Sequence, residues 1–557
     1  MSSPRVYYAA AVIAVLVSIP LTVAGQASAR ASKSEGAAGG SPALASPAEL
    51  PRVFLDTTYV PATGKTITVH EGDDLQAALD AARPGDEVVL EAGATFVGNF
   101  VLPRKRGSDD IIVRTSDMAG LPAEGVRVSP ADADSMPKVI TPNEEAALDT
   151  ADGAHGYRLL GIEFGIAAGV AENFGVVRLS DGDETERSQL SSDIVVDRCY
   201  VHGNPTENDR RGVVLNGASQ AVVDSYVSDF HEVGIDSQAI EGWAGPGPFK
   251  IANNYLEGAA ENLMFGGADP LIPGVVPSDI EIRHNTFFKP LTWRKGDPNY
   301  GGIHWTVKNL FELKSAHRVL VDGNVFQQCW GDAQTGVALL IKTAASLAAP
   351  WQVTTDVTIS NNVVEDAAGA LSIEARDPHT TKFTQRVSVI NNLFRRIDGA
   401  KWKGSGDFLL VLAGSASPTG KVNGVPDVFI DHNTAFQTHT IVSVDGRARF
   451  QRFVYADTIA PHNRYGVKGG GAATGNDTID RYFPGAVFRR DVLVGGKAAL
   501  YPPDNFFPAT MDDVGFVDLA GGNYRLSEAS PYKGAALDGT DVGADIDAIA
   551  AATGLPL

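Results

Sequence analysis

The run LFELK at 310 to 314 sets an acid and an amine two residues apart in an apolar frame. Successive side chains of a β-strand point to opposite faces, so Phe311 and Leu313 face one way and Glu312 and Lys314 the other. A carboxyl and an amine held together on a polar face can move a proton or grip an anion. The same parity applied to neighbouring β-rich runs gives an outward ribbon: Asp236 and Gln238, Asn262 with Glu261, Glu312 and Lys314, Lys342, then Glu374 and Arg376. Stacked strands lie about 5 Å apart, so these groups can cooperate. Any such exterior is polar whatever it does. What sets this ribbon apart is that later runs, FLLVL (408 to 412) and IVSVD (441 to 445), offer hardly any outward charge.

Two long interruptions flank the ribbon, GGADPLIPGVVPSD (266 to 279) and KPLTWRKGDPNYGGIHWTVKN (289 to 309). Long loops beside a rigid scaffold commonly carry binding function. Trp243, Trp293, Trp305 and Trp330 fall in this part of the chain; their flat faces suit sugar rings and suit core packing equally. His231 and His304 are candidate proton carriers, or plain turn residues. There is no H-E-x-x-H zinc signature, no phosphate-cradling glycine loop and no G-x-S-x-G elbow.

The elements that would position these groups repeat. FKIANNYLEG, DIEIRHNTFFK, RVLVDGNVFQQ, DVTISNNVVED, RVSVINNLFRR and DVFIDHNTAFQ align on Asn254, Asn285, Asn324, Asn362, Asn392 and Asn433. The intervals of 31, 39, 38, 30 and 41 residues are too irregular for propeller blades but natural for coils carrying loops of different length. Two earlier coils carry Cys199 and Ser225 at the same place, so the asparagine ladder is expected to start after them. A stacked Asn tolerates left-handed backbone and passes hydrogen bonds from coil to coil, which makes the ladder structural. A second run in each coil, from VVRLS (176 to 180) to IVSVD, stacks into one parallel sheet. Residues 75 to 82 form an amphipathic helix ended before Pro84-Gly85, suited to capping the first coil. The expectation is an all-β, single-domain right-handed parallel β-helix with a short N-terminal capping helix.

The first 29 residues read as a signal peptide, with Arg5, an apolar run and the small-residue Ala27-Ser28-Ala29; an uncleaved anchor is the rival reading. Residues 30 to 50, rich in Ala, Gly, Ser and Pro, read as a flexible linker, and the β-helix domain spans 51 to 550. A secreted, extracellular monomer follows, free of the membrane after signal cleavage. The formal charge of −21 and pI near 4.9 make nucleic acid an unsuitable partner, and a polyanion would need a local basic patch. Cys199 and Cys329 sit several coils apart, too far for a disulfide.

The opening LQAALDAARPGDEVVLEAGATFVGNF, the N-N-x-F turns and the closing NYRLSEASPYKGAALDGTDVGADI resemble the pectate-lyase-like β-helix superfamily over residues 65 to 545. Within it, LFELKSAHRVLVDGNVF followed by ALLIKT resembles the family 6 polysaccharide lyases, which include alginate lyases and chondroitinase B. That resemblance implies an acidic polysaccharide as partner, Lys314 as base, Lys342 one coil on where the relatives carry arginine, and calcium held by Glu312 and Asn262, with Glu261 beside them. The implied reaction is β-elimination, with Lys342, Arg376 or calcium neutralising the uronate carboxylate and with Asp236, Gln238, Trp243, Trp293, His304, Trp305 and Glu374 contacting substrate. A lysine base must titrate below its ordinary ~10.4, which Glu312 opposes. Two alternatives stand beside it. One is hydrolysis by paired carboxylates from Asp236, Glu261, Asp269 and Glu312; the other is a non-catalytic carbohydrate-binding surface protein.

Overall fold

The computed structural model describes residues 46–377, 382–412, 424–446 and 448–557. The expected signal peptide and the linker up to residue 45 lie outside the described residues. Residues Ala43–Leu557 form one compact unit. Among the described residues no helix is long and apolar enough to cross a membrane.

Each β-rich run folds as two short strands around a corner. In DIEIRHNTFFK, strand Ser278–Arg283 ends before His284 and strand Thr286–Phe288 begins after Asn285. The second runs of the sequence form a third strand per coil. Stacking the coils gives parallel sheets of 14, 13 and 12 strands, which is a parallel β-helix. Inward residues of all three sheets, such as Ile282, Phe287 and Phe311 in turn, merge into one apolar core along the axis. Helix Leu75–Ala81 closes the first coil. Asp74 caps it by accepting from Ala77 N, and Leu75, Ala78 and Leu79 are buried.

The corner asparagines form the expected ladder. Asn254, Asn285, Asn324, Asn362 and Asn392 each donate backbone N–H and Nδ2 to Oδ1 of the next asparagine, at 2.8–3.0 Å. The ladder is longer than the asparagines. It starts with Cys199 N donating to Ser225 Oγ and ends with Asn433 to Thr458, Thr458 to Asp491 and Asp491 to Asn505. The left-handed corner residue is not the ladder asparagine but the one before it: Asn253, His284, Gly323, Asn361, Asn391 and His432 all have φ between 49° and 66°. This ordering frees the ladder amide to point inward.

Two segments, one beginning at Ser46 and one at the C-terminal helix, lie along the outside of the coils. Ser46, Ala48, Glu49 and Arg52 donate backbone N–H to Asp427, Ser388, Asp356 and Asp279, stepping along the coils and passing over the one that carries Arg318. Residues 46–50 are therefore a docked strap rather than linker, because their amides find two carboxylates and a serine hydroxyl along a coil edge. Those carboxylates sit in a charge ladder, with Asp279, Asp356 and Asp427 each forked onto Arg318, Arg386 and Arg452 at 2.5–2.7 Å. At the other end, helix Ile546–Thr553 buries Ile546 and Ile549 against Val363 and Leu393. Both cysteines are buried and free.

Candidate active site

Three strands of the third sheet carry the centre of the ribbon. Gln238–Gly242, Glu261–Phe265 and Phe311–Leu313 pair in register with Glu241 beside Met264 and Met264 beside Glu312. Glu261 and Glu312 are fully buried. Gln238 Nε2 donates to Glu261 Oε2 at 2.7 Å, and Asn309 Nδ2 donates to Glu312 Oε2 at 3.2 Å. The remaining oxygen of each carboxyl accepts from no N–H or hydroxyl, and the two acids lie close enough for the charge of one to act on the other.

Lysines roof this pair. Glu312 Oε1 lies 3.5 Å from Lys314 Nζ and 3.7 Å from Lys342 Nζ, and Lys342 is also 3.3 Å from Asp377 Oδ2. Lys308 pairs with Asp236. The three lysine side chains keep 14–15% of their surface in solvent. Asp236 and Asp377, at 31% and 36%, are the open carboxylates at the two ends.

The charges follow from this geometry. Burial drives Glu261 upward, and Asp236 adds to it. Burial works on Glu312 in the same direction, but Lys314 and Lys342 outweigh it and hold it low. Burial opposes the charge on Lys314, yet Glu312, Glu261, Asp236 and Glu241 together hold it well above the usual lysine range. Lys342 is raised as well, by Glu312 and Asp377 against burial. Lys314 therefore rests as an ammonium, and its expected role as a base is redirected to that of a fixed cation.

Several expected site residues sit elsewhere. The strand that carries Glu374 ends there, so face alternation does not extend to Arg376. Arg376 is buried, with its guanidinium 4.5 Å over the Phe383 ring. Glu374 is half-buried near Lys342, and burial raises its pKa. Gln238 is buried as a support for Glu261 rather than presented to a ligand. Trp293 and Trp305 are buried in an apolar cluster with Trp330 and Trp402. Trp305 stacks on His231 at 3.8 Å and Trp293 meets it edge-on at 5.4 Å. They hold the loop down and offer no face to a sugar. Burial depresses His231 to about 4, so it stays neutral. Trp243 is half-buried under Arg211. His304 is open and bound to Asp332 at 2.8 Å. Asp269 is engaged by Ser346 and Gln352.

The expected calcium set does not fit. Asn262 Nδ2 donates to Leu256 and Phe288 carbonyls, and its Oδ1 accepts from Lys289 Nζ at 3.0 Å. That leaves one oxygen each on Glu261 and Glu312, against the six to eight that calcium takes, beneath a roof of ammonium groups. Sequence reasoning missed Lys289, Lys308, Asn309 and Asp377. The first three lie in or beside the loop of 289 to 309, whose path back over the third sheet no local pattern specifies.

No protein-family model matches the chain, and no curated protein matches it. Solved structures do. A mannuronic acid specific polysaccharide family 6 lyase from human gut microbiota is 14% identical, with 80% of this chain and 91% of that one covered and a TM-score of 0.46. The family 6 alginate lyase AlyGC is 13% identical over 78% of this chain and 53% of its own, with a TM-score of 0.45. Pectate lyase Pel9A is 12% identical over 87% and 96%, with a TM-score of 0.36. At such identities the likeness is one of fold, which the sheet topology establishes by itself. The chain is a parallel β-helix, the architecture of these polysaccharide lyases.

Proposed function

We propose that the chain is a secreted polysaccharide lyase that cleaves a uronic-acid-containing polysaccharide by β-elimination. One observation carries this reading: Lys314 and Lys342, both within 3.7 Å of the buried Glu312, form a fixed cationic pair, with Asp236, held by Lys308, at the Lys314 end of the row. A chain with formal charge −21 repels polyanions at a distance, so a local pair of this kind is what an acidic sugar requires.

The carboxylate of a uronate residue seats on Lys314 and Lys342. Its negative charge is then offset, which stabilises the enolate-like transition state as the proton alpha to it leaves. Asp236 is the group we assign to take that proton. The electron pair of the broken C–H bond forms the new carbon–carbon double bond, the glycosidic C–O bond breaks, and the leaving oxygen takes a proton from solvent. Glu312 and Glu261 stay out of contact with substrate and keep the lysines charged and placed.

Hydrolysis by the Glu261 and Glu312 pair is disfavoured, because both carboxyls are fully buried beneath the lysines, whereas such mechanisms place both acids against the substrate. The test is incubation with a panel of acidic polysaccharides, following ultraviolet absorbance of unsaturated products alongside new reducing ends. The expected result is a rise in both on one substrate, lost in Asp236→Asn. Reducing ends without absorbance would make the protein a hydrolase, and ligand retention with neither signal would make it a binding protein.

A further inference from the structure

Lys289 is completely buried at the end of the strand Thr286–Phe288. Its Nζ meets four oxygens: the carbonyls of Gly258 at 2.5 Å, Ala259 at 2.9 Å and Ala260 at 3.2 Å, and Asn262 Oδ1 at 3.0 Å. A neutral amine has two N–H donors and an ammonium three, so four converging acceptors match the charged form. Buried charges persist only when paired or fully solvated by protein dipoles. The cage is drawn from one tight segment, 258 to 262, and Glu261 projects from the middle of it toward Glu312.

We propose that the Lys289 ammonium is a built-in cation that takes the place of a bound metal at this site. It gathers the carbonyls of Gly258, Ala259 and Ala260 and fixes Asn262, so that Glu261 is aimed at Glu312 and the lysine roof without any ion from solution. Lys289 is thus a positioning residue, and the protein works without calcium. The two consequences can be read apart from any cleavage reaction, so the proposal does not stand or fall with the lyase reading.

The first measurement is a calorimetric titration of the unmodified protein with calcium, with terbium luminescence as a second probe. The expected result is no saturable one-to-one binding at millimolar calcium and no change in melting temperature with chelator. A saturable site that disappears in Glu312→Gln would overturn the proposal. The second is Lys289→Ala, melted with and without propylammonium chloride. A lowered melting temperature that propylammonium restores and tetramethylammonium does not is the expected pattern, because a primary ammonium carries three N–H donors for the cage oxygens and tetramethylammonium carries none. A variant that melts with the unmodified protein, or that both salts restore equally, would refute the cage. If Lys289→Ala fails to fold, the calcium titration still decides. On a cleaved substrate, Lys289→Met should lose at least tenfold in rate while the unmodified enzyme is indifferent to chelator; a Lys289→Met rate equal to that of the unmodified enzyme would remove Lys289 from the site.

Discussion

Replacing Asp491 by asparagine should stabilise the last coils, and the gain should grow with pH. Asp491 occupies the corner position that asparagine fills in six earlier coils, and it is fully buried. Its Oδ1 accepts from Thr458 N at 3.1 Å and its own N–H reaches Asn505 Oδ1 at 2.9 Å, but its Oδ2 has no partner. In the ladder, Nδ2 of each asparagine donates to a carbonyl of the preceding coil, as Asn433 does to Val389 and Asn324 to Ile282. The matching acceptor for position 491 is the Tyr455 carbonyl, since Tyr455 pairs with Phe488.

Burial pushes the Asp491 carboxyl well above its ordinary value, with Asp457 and Asp431 adding to it. A raised acid contributes stability that is fully present below its unfolded pKa of ~3.9 and is lost as pH rises toward the folded pKa, at about 1.4 kcal/mol per unit. Above both pKa values the cost stays constant, at about 1.4 kcal/mol for each unit by which the folded pKa exceeds the unfolded one. Asp491→Asn removes that cost and adds a hydrogen bond worth about 1 kcal/mol. Native-state hydrogen exchange over residues 455 to 510 at pH 4 and pH 7 reads this directly. The unmodified chain should lose protection between the two pH values and the variant should not. A variant no better protected at pH 7, or one whose advantage persists unchanged at pH 4, would refute the reasoning.

Other outcomes follow from the same geometry. On a cleaved polysaccharide, Lys314→Met should lose about 10²–10³ in rate, the usual loss for one preorganised charge, whereas Lys314→Arg should keep part of it; an inert Lys314→Arg beside an active Asp236→Asn would return the base to Lys314. Asn324→Ala strips the acceptor from Asn285 N–H and Nδ2 and should cost about 2–4 kcal/mol, seen as a lower denaturant midpoint; a loss under about 0.5 kcal/mol would mean that water takes over the ladder. Removing residues 46 to 57 exposes Asp279, Asp356 and Asp427 but leaves their arginine forks intact. That truncation should lower the melting temperature while leaving cleavage unchanged, and a loss of cleavage would show that the strap also serves the site.

The coil repeat, the inward and outward faces and the asparagine ladder were legible from the sequence, because strand alternation and a stacked polar corner are local rules repeated in every coil. The capping helix was legible for the same reason. Parity and the family resemblance both pointed to Glu312, Lys314 and Lys342, and the structure sets each lysine within 3.7 Å of Glu312. Parity failed where the strand stopped, at Arg376, and at Asn262, whose amide a distant lysine claims. What only the tertiary structure decided is how the loop of 289 to 309 packs back, burying Trp293 and Trp305 around His231 and carrying Lys308 and Asn309 to the carboxyls. Charge state was decided there too. A lysine two residues from one glutamate can be base or cation, and the gathering of four acids around Lys314 is a property of neighbouring coils, which no local spacing encodes.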